Sequence, residues 1–111
     1  MNAVINNGLS EYSKEALSAV KEPIVYLDPV VNSNGARMIE YDKGDFEIVE
    51  VGILFGEEGR TPAITSCIEK MNSQRNSNHG QFTATPSDAS YTARGYMIYR
   101  DGTEYKVIYS K

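Results

Sequence analysis

One cysteine and one histidine, Cys67 and His79, are the only thiol and imidazole groups in the chain. A nucleophilic cysteine needs a partly exposed, electropositive setting that stabilises its thiolate. Cys67 falls within an apolar pattern instead, so we expect it to pack in the core, and we expect His79 to be an ordinary surface residue. Two such residues without suitably spaced carboxylates do not form a zinc site. The sequence therefore predicts a non-enzymatic protein with no catalytic residues, no metal site and no cofactor.

The turn from Gly56 to Arg60 contains two glycines and precedes a predicted helix start. Such turns often bind phosphate through the free N–H groups of the helix. Glu57 and Glu58 oppose this. At roughly 6 Å and an effective dielectric near 20, each would repel a negative charge by about 3 kcal/mol, more than the roughly 0.3–1 kcal/mol that the helix dipole offers. We therefore predict no nucleotide site at this turn, which also has no Gly-Lys-Ser/Thr sequence.

Carboxylates are dense between Glu40 and Glu58, where Lys43 is the only basic residue. Residues 1–59 carry 4 basic and 11 acidic groups, whereas residues 60–111 carry 7 and 4. An acidic surface beside exposed apolar side chains suits a basic protein partner. The residues predicted to bind this partner are Asp42, Asp45, Glu47, Glu50, Glu57 and Glu58.

The C-terminal half supports an alternative function, in which a hairpin rich in tyrosine and arginine binds nucleic acid or a small ligand. Aromatic rings stack on bases while basic side chains bind phosphates. The alternative site consists of Arg75, Arg94, Tyr99 and Arg100, beside a polar loop over residues 72–90. The net charge of −4 opposes phosphate binding at ordinary salt, so we favour a protein partner over nucleic acid.

Hydrophobic patterns predict the elements that position these groups. Apolar residues at a spacing near 3.6 over residues 9–22 predict an amphipathic helix, which must end before the following proline. Three strands are predicted next, at Ile24–Leu27, Ala36–Tyr41 and Phe46–Phe55. The third strand is apolar on both sides, which is typical of a central strand that is covered on both faces.

Two acids, Glu47 and Glu50, interrupt this central strand. They point to opposite faces if the strand is regular, because side chains alternate along a strand. We therefore predict that at least one of them lies at a sheet margin, a bulge or an interface.

A second helix is predicted after the central strand. Thr61 is a good helix cap, and Pro62 suits the first helical position because its missing N–H costs little there. Apolar residues then recur at the spacing of a buried helical stripe. The stripe consists of Ile64, Cys67, Ile68 and Met71.

Residues 72–90 are polar, and they form either a mobile functional loop or a connection that contains a short strand around Gln81–Thr85. The chain closes with a hairpin of Tyr91–Arg100 and Thr103–Tyr109, joined by a two-residue turn at Asp101 and Gly102.

This turn pairs Ile98 with Tyr105 and Tyr96 with Val107. The pairing predicts a core face of aromatic and aliphatic residues, with Met97 and Tyr99 on the other side.

Together these elements predict a single α+β domain over residues 1–111, in the order α-β-β-β-α-β-β, with an antiparallel or mixed sheet of about five strands and two packed helices. We predict an acidic inhibitor or immunity-type protein that blocks a basic macromolecular enzyme, such as a nuclease, a nucleic-acid-binding enzyme or a toxin. We see no membrane-spanning run or signal peptide, and the lone cysteine suits a reducing compartment, so we expect a cytoplasmic protein without a membrane partner. The doubly apolar central strand also allows a homodimer.

Overall fold

The structure is a computed structural model that describes residues 20–73 and 78–110. This part of the chain contains seven strands and no helix, so it is all-β and the predicted α+β class is wrong. The first predicted helix lies mostly outside the described residues, and residues 20–22 are not helical. The strands are β1 (Ile24–Leu27), β2 (Arg37–Asp42), β3 (Glu47–Gly56), β4 (Glu69–Ser73), β5 (His79–Ala84), β6 (Thr92–Asp101) and β7 (Glu104–Tyr109).

The strands form two antiparallel sheets, a three-stranded sheet of order β1-β2-β5 and a four-stranded sheet of order β4-β3-β6-β7. The two sheets share one apolar core, as in a β-sandwich. We call the core side of each sheet its inner face and the opposite side its outer face. The buried core side chains include Val25, Ile39 and Tyr41 from the first sheet and Val51, Ile53, Phe55 and Met97 from the second.

β3 is a central strand, as its two-sided apolar pattern predicts. Its inner face packs on the three-stranded sheet, and part of its outer face is covered by the 57–68 segment. Several hydrogen bonds fix that segment to the sheet, including those from the Gly59 N–H to Thr92 Oγ1 and from the Ile68 N–H to the Phe55 carbonyl. The Ile64 N–H donates to Tyr109 Oη at 3.2 Å, and Arg94 donates to the Pro62 carbonyl at 3.3 Å. Two side chains on this outer face, Leu54 and Tyr96, are fully buried.

A β-bulge changes the direction of one acid in β3. The register with β6 shifts between Ile48 and Glu50, which leaves Val49 as an extra residue. Glu47 and Glu50 therefore face the same side of the sheet, opposite Arg100 and Ile98 respectively. The prediction allowed for such a bulge, but not for its effect of bringing both carboxylates to one face.

The helix predicted from Thr61 does not form. Ala63 and Ser66 instead exchange two backbone hydrogen bonds, at 3.0 and 2.9 Å, around a tight turn. The chain then pairs as β4 with the edge of β3, from Phe55 opposite Glu69 onwards. Ile68, which the helical stripe placed in the core, is 51% exposed. The β-branched residues of this segment are weak helix formers, and pairing with β3 satisfies its backbone groups instead.

The C-terminal hairpin forms with a different turn from the predicted one. Gly102 and Thr103 occupy its centre, and Asp101 lies opposite Glu104. Gly102 has φ of +64° while Thr103 has an ordinary negative φ, as in a type II′ turn with glycine first.

The register therefore differs by two residues from the predicted one, and Ile98 pairs with Val107 rather than Tyr105. A shift of two keeps the residues of each face together. The inner face, however, carries Met97 and Tyr99 rather than the aromatic and aliphatic set predicted to be core.

The polar connection over residues 72–90 contains a strand, so the second of its two predicted forms is confirmed. β5 covers His79–Ala84 and pairs with β2, while Asn72 and Ser73 belong to β4. Residues 74–77 lie outside the described part. No helix among the described residues is long and apolar enough to cross a membrane.

Candidate functional site

The six acids predicted to bind a partner do not form one surface. Asp42 and Asp45 flank the turn before β3, whereas Glu57 and Glu58 follow its far end. β3 has ten residues, and at about 3.3 Å per residue its ends lie roughly 30 Å apart. A partner that contacts one pair of acids with a small interface therefore leaves the other pair untouched.

Two of the six acids are neutralised on the outer face of the four-stranded sheet. Glu47 accepts a hydrogen bond from Arg100 at 2.7 Å, and Glu50 lies 3.1 Å from Lys70 Nζ. Glu57 forms an exposed ion pair of 3.3 Å with Arg60, three residues away. These carboxylates are already paired within the chain.

Glu50 belongs to a polar network with Tyr96, Lys70 and Asn72. The buried Tyr96 hydroxyl donates a short hydrogen bond to the Glu50 carboxylate. Burial raises the pKa of Glu50, but hydrogen bonds from the three neighbours and the charge of Lys70 outweigh it and place the pKa below its ordinary value. Burial and the Glu50 carboxylate raise the pKa of Tyr96. The network therefore holds an ionised carboxylate and a neutral tyrosine in a structural role.

Asp42 and Asp45 each fix part of the backbone. Asp42 Oδ1 accepts the Gly44 N–H at 2.8 Å and shapes the turn after β2. Asp45 exchanges two hydrogen bonds with the backbone of Lys21, through its carboxylate at 2.8 Å and its own N–H at 3.0 Å. The chain entering β1 is thereby fastened beside the start of β3.

Asp42 also lies on the outer face of the three-stranded sheet, where exposed apolar and acidic side chains meet. One cross-strand row contains Ile24, Asp42 and His79. The next row contains Tyr26, Glu40 and Gln81. These rows line an open groove of about 400 Å³.

Ile24 and Tyr26 are 60% and 52% exposed, although both sit within a regular strand. Val30 and Val31 continue the exposed apolar surface beyond the end of β1. A run of large exposed apolar side chains along one sheet edge is typical of an interaction site.

The charge on this outer face is negative. Glu40 accepts a hydrogen bond of 3.3 Å from Gln81, a neutral group, and Asp42 accepts only from a backbone N–H. Within residues 20–73 and 78–110, neither carboxylate forms an ion pair with Lys or Arg. Both carboxylates therefore have no cationic partner in the described part of the chain.

Sequence reasoning missed Ile24, Tyr26 and Glu40 as site residues. The strand Ile24–Leu27 is apolar at every position, so its pattern does not show which side chains face the core. The pairing of β1 with β2 decides this, because it turns Val25 inward and leaves Ile24 and Tyr26 beside the acids.

The residues of the alternative nucleic-acid site are dispersed. Tyr99 is buried against Phe46 on the inner face, with ring centroids 5.1 Å apart. Arg94 lies on the outer face, where its guanidinium stacks on the Tyr109 ring at 4.0 Å. Arg100 is paired with Glu47, and Arg75 lies outside the described residues. The arrangement offers no stacked array of free aromatic and basic groups.

Cys67 and His79 lie on different sides of the molecule. Cys67 belongs to the 57–68 segment over the four-stranded sheet, is half-buried, and has its Sγ 4.0 Å from the Ile64 carbonyl. His79 lines the groove on the three-stranded sheet. The part of the chain that the structure describes contains no group of three or more His, Cys, Asp or Glu side chains that could hold a metal ion.

No protein-family model matches this chain, and neither a curated protein nor a solved structure shows significant similarity to it.

Proposed function

We propose that this chain is an acidic, non-enzymatic protein-binding module that docks onto a basic protein through the outer face of its three-stranded sheet. The observation that carries the proposal is the exposure of Ile24 and Tyr26 directly beside Glu40 and Asp42. A few residues, most often Trp, Tyr and Arg, supply most of the binding energy at protein interfaces, and Tyr26 is a residue of this kind. Unpaired carboxylates around them select a basic partner and steer its approach.

The available area supports a protein rather than a small ligand. The groove is open to solvent, and Val30 and Val31, a few residues after β1, are also exposed. A stable protein interface buries about 800 Å² on each partner, which requires a surface larger than one groove. The proposed interface therefore includes the sheet face beyond the groove and the exposed Val30 and Val31 that follow β1.

The biological class that fits this surface is an inhibitor or immunity-type protein in the cytoplasm. A rigid sheet that covers a basic active-site cleft blocks it sterically, without chemistry of its own. Basic clefts that bind nucleic acid, as in nucleases and related toxins, present the complementary charge. Glu57 and Glu58 follow the far end of β3, roughly 30 Å from the turn beside Asp42, and are not part of the proposed surface.

Affinity capture from the source cell tests the proposal. The bait is the full chain, and the comparison bait carries Glu40→Lys with Asp42→Lys. We expect the unmodified chain to retain a basic protein in stoichiometric amount and the double variant to lose it, since two attractive charges become repulsive.

The matched control bait carries Glu57→Lys with Glu58→Lys, which makes the same change in net charge at the far end of β3. The control should retain the partner. Loss of the partner from both variants would show that binding depends on net charge alone. Retention of the partner by both variants would show that this sheet face is not the binding surface.

A further inference from the structure

Among residues 20–73 and 78–110, no strand pairs with the edge of β5 that lies away from β2, and we call this edge, which lies beside the groove, the open edge of β5. The Lys43 N–H donates to the Asn78 carbonyl at 2.8 Å, one pair beyond the β2–β5 register. Opposite residues of an antiparallel ladder alternate between bonded and non-bonded pairs. Gly80 and Phe82 therefore bond to β2, while alternate residues point their backbone groups away from it. The outward-pointing residues are His79, Gln81 and Thr83.

The open edge of β5 lacks the features that protect other edges. β1 has only four residues and is flanked by Pro23 and Pro29, and β7 carries Lys106 at its centre. Short length, proline and lysine are the usual means of preventing strand addition. β5 has six residues and contains neither proline nor lysine.

We propose that β5 accepts an extended segment of the basic partner as an added strand. The positive charge of the partner segment is taken from the proposed function. Its extended conformation is inferred from the open edge of β5. Main-chain hydrogen bonds supply affinity in strand addition, and alternate side chains supply specificity. The backbone groups of His79, Gln81 and Thr83 are the ones that pair.

The geometry also sets the sequence class of the added segment. Its backbone would lie about 4.8 Å from β5 and about 10 Å from β2. Side chains on its outer side pass over Gln81 towards Glu40 and Asp42, which favours Lys or Arg there. Side chains on its inner side lie next to Phe82, which packs against the core and favours an apolar residue. The segment is therefore a strand of alternating basic and apolar residues.

A synthetic peptide of alternating lysine and valine tests this mode on the full chain, with hydrogen exchange of individual amides followed by NMR. We expect exchange of the His79, Gln81 and Thr83 amides to slow at least tenfold on peptide binding. The amides of Gly80 and Phe82 serve as internal controls, because they are already bonded to β2. Exchange of the outward-pointing amides that does not change at saturating peptide would overturn the proposal.

Gln81→Pro provides a variant test. Proline removes the outward N–H of this position without removing a bond to β2. We expect Gln81→Pro to weaken peptide binding at least tenfold more than Gln81→Ala, which loses the same side chain but keeps the N–H. If the proline variant fails to fold, the peptide is modified instead, with N-methyl groups on the amides that would face β5. This N-methylated peptide should not bind.

Other occupants of the edge give distinct results. Slow exchange of the three amides without peptide would mean that a second copy or residues 1–19 already cover the edge, and would overturn the proposal. If a peptide of alternating glutamate and valine binds equally well, the proposal that the added segment must be basic is overturned. If the captured basic protein binds Gln81→Pro normally but not Glu40→Lys with Asp42→Lys, strand addition fails while the proposed function stands.

Discussion

The outer faces of the two sheets both carry acids and tyrosines, but the pairing of the acids and the exposure of the tyrosines differ between them. On the four-stranded sheet, Glu47 and Glu50 are paired with Arg100 and Lys70, and Tyr96 is fully buried. On the three-stranded sheet, the acids lack a cationic partner among the described residues, and Tyr26 and Ile24 are exposed. The acids of one outer face are paired within the chain, although Tyr105 and Val107 stay exposed there, whereas the acids of the other have no cationic partner among the described residues.

This difference shows that acid density along a sequence does not locate a binding surface. The acids from Glu40 to Glu58 are close together in the sequence. In the fold, however, β3 separates the first of them from the last, and Glu47 and Glu50 form ion pairs with Arg100 and Lys70. Glu40, which is not among the six predicted binding residues, is the better candidate because it accepts a hydrogen bond from the neutral Gln81 and forms no ion pair within the described residues.

The largest effect is expected from one substitution made on each face. Tyr96→Ala removes a fully buried ring and should lower the free energy of unfolding by about 3–5 kcal/mol, as for other large buried aromatics. Tyr26→Ala removes a ring that is half exposed and should cost less than about 1 kcal/mol. Chemical denaturation measures both. Equal losses would show that the two faces do not differ in burial.

A smaller effect is expected from the acids. Glu50→Ala leaves the buried Tyr96 hydroxyl without its acceptor and should cost about 1–3 kcal/mol. Glu40→Ala removes a solvent-exposed acceptor and should change the free energy of unfolding by no more than about 0.5 kcal/mol. The same denaturation measurement checks both variants, and a cost for Glu40→Ala as large as that for Glu50→Ala would contradict the contrast.

The smallest effect concerns pH. The folded-state pKa of Glu50 lies below its ordinary value of 4.5, so its contribution to stability is present above that pH and is lost as the pH falls through the folded pKa. From about pH 6 to about pH 3, the unmodified chain should therefore lose more stability than Glu50→Gln. Thermal unfolding across this range measures the difference. Parallel pH profiles would show that Glu50 is not held ionised by its neighbours.

The sequence predicted the strands whose signals lie in nearby residues. It did not predict β4, which depends on pairing with a distant part of the chain. β2, β3 and both hairpin strands follow from alternation and turn residues near them. The stripe from Ile64 to Met71 fits a helix equally well in isolation, and only the edge of β3 turns part of it into β4. The spacing of apolar residues within a segment does not show which strand edge elsewhere in the chain is available for pairing.

The candidate site was predicted only in part for a related reason. Asp42 was identified from its charge, and it does lie on the proposed surface. Ile24 and Tyr26 could not be identified, because their exposure depends on the register of β1 with β2. The bulge at Val49 likewise decides the face of Glu50, and the acids in this strand allowed for a bulge without showing that both would reach the same face.

The most direct test of the central claim compares two exposed tyrosines, one on each outer face, in binding to the captured basic protein. Tyr26 lies in the proposed surface and Tyr105 lies on the four-stranded sheet, and both are more than half exposed. If Tyr26 is an interface anchor worth about 2 kcal/mol, Tyr26→Ala should raise the dissociation constant roughly 30-fold, while Tyr105→Ala should leave it unchanged. A larger effect from Tyr105→Ala, or no effect from Tyr26→Ala, would contradict the account.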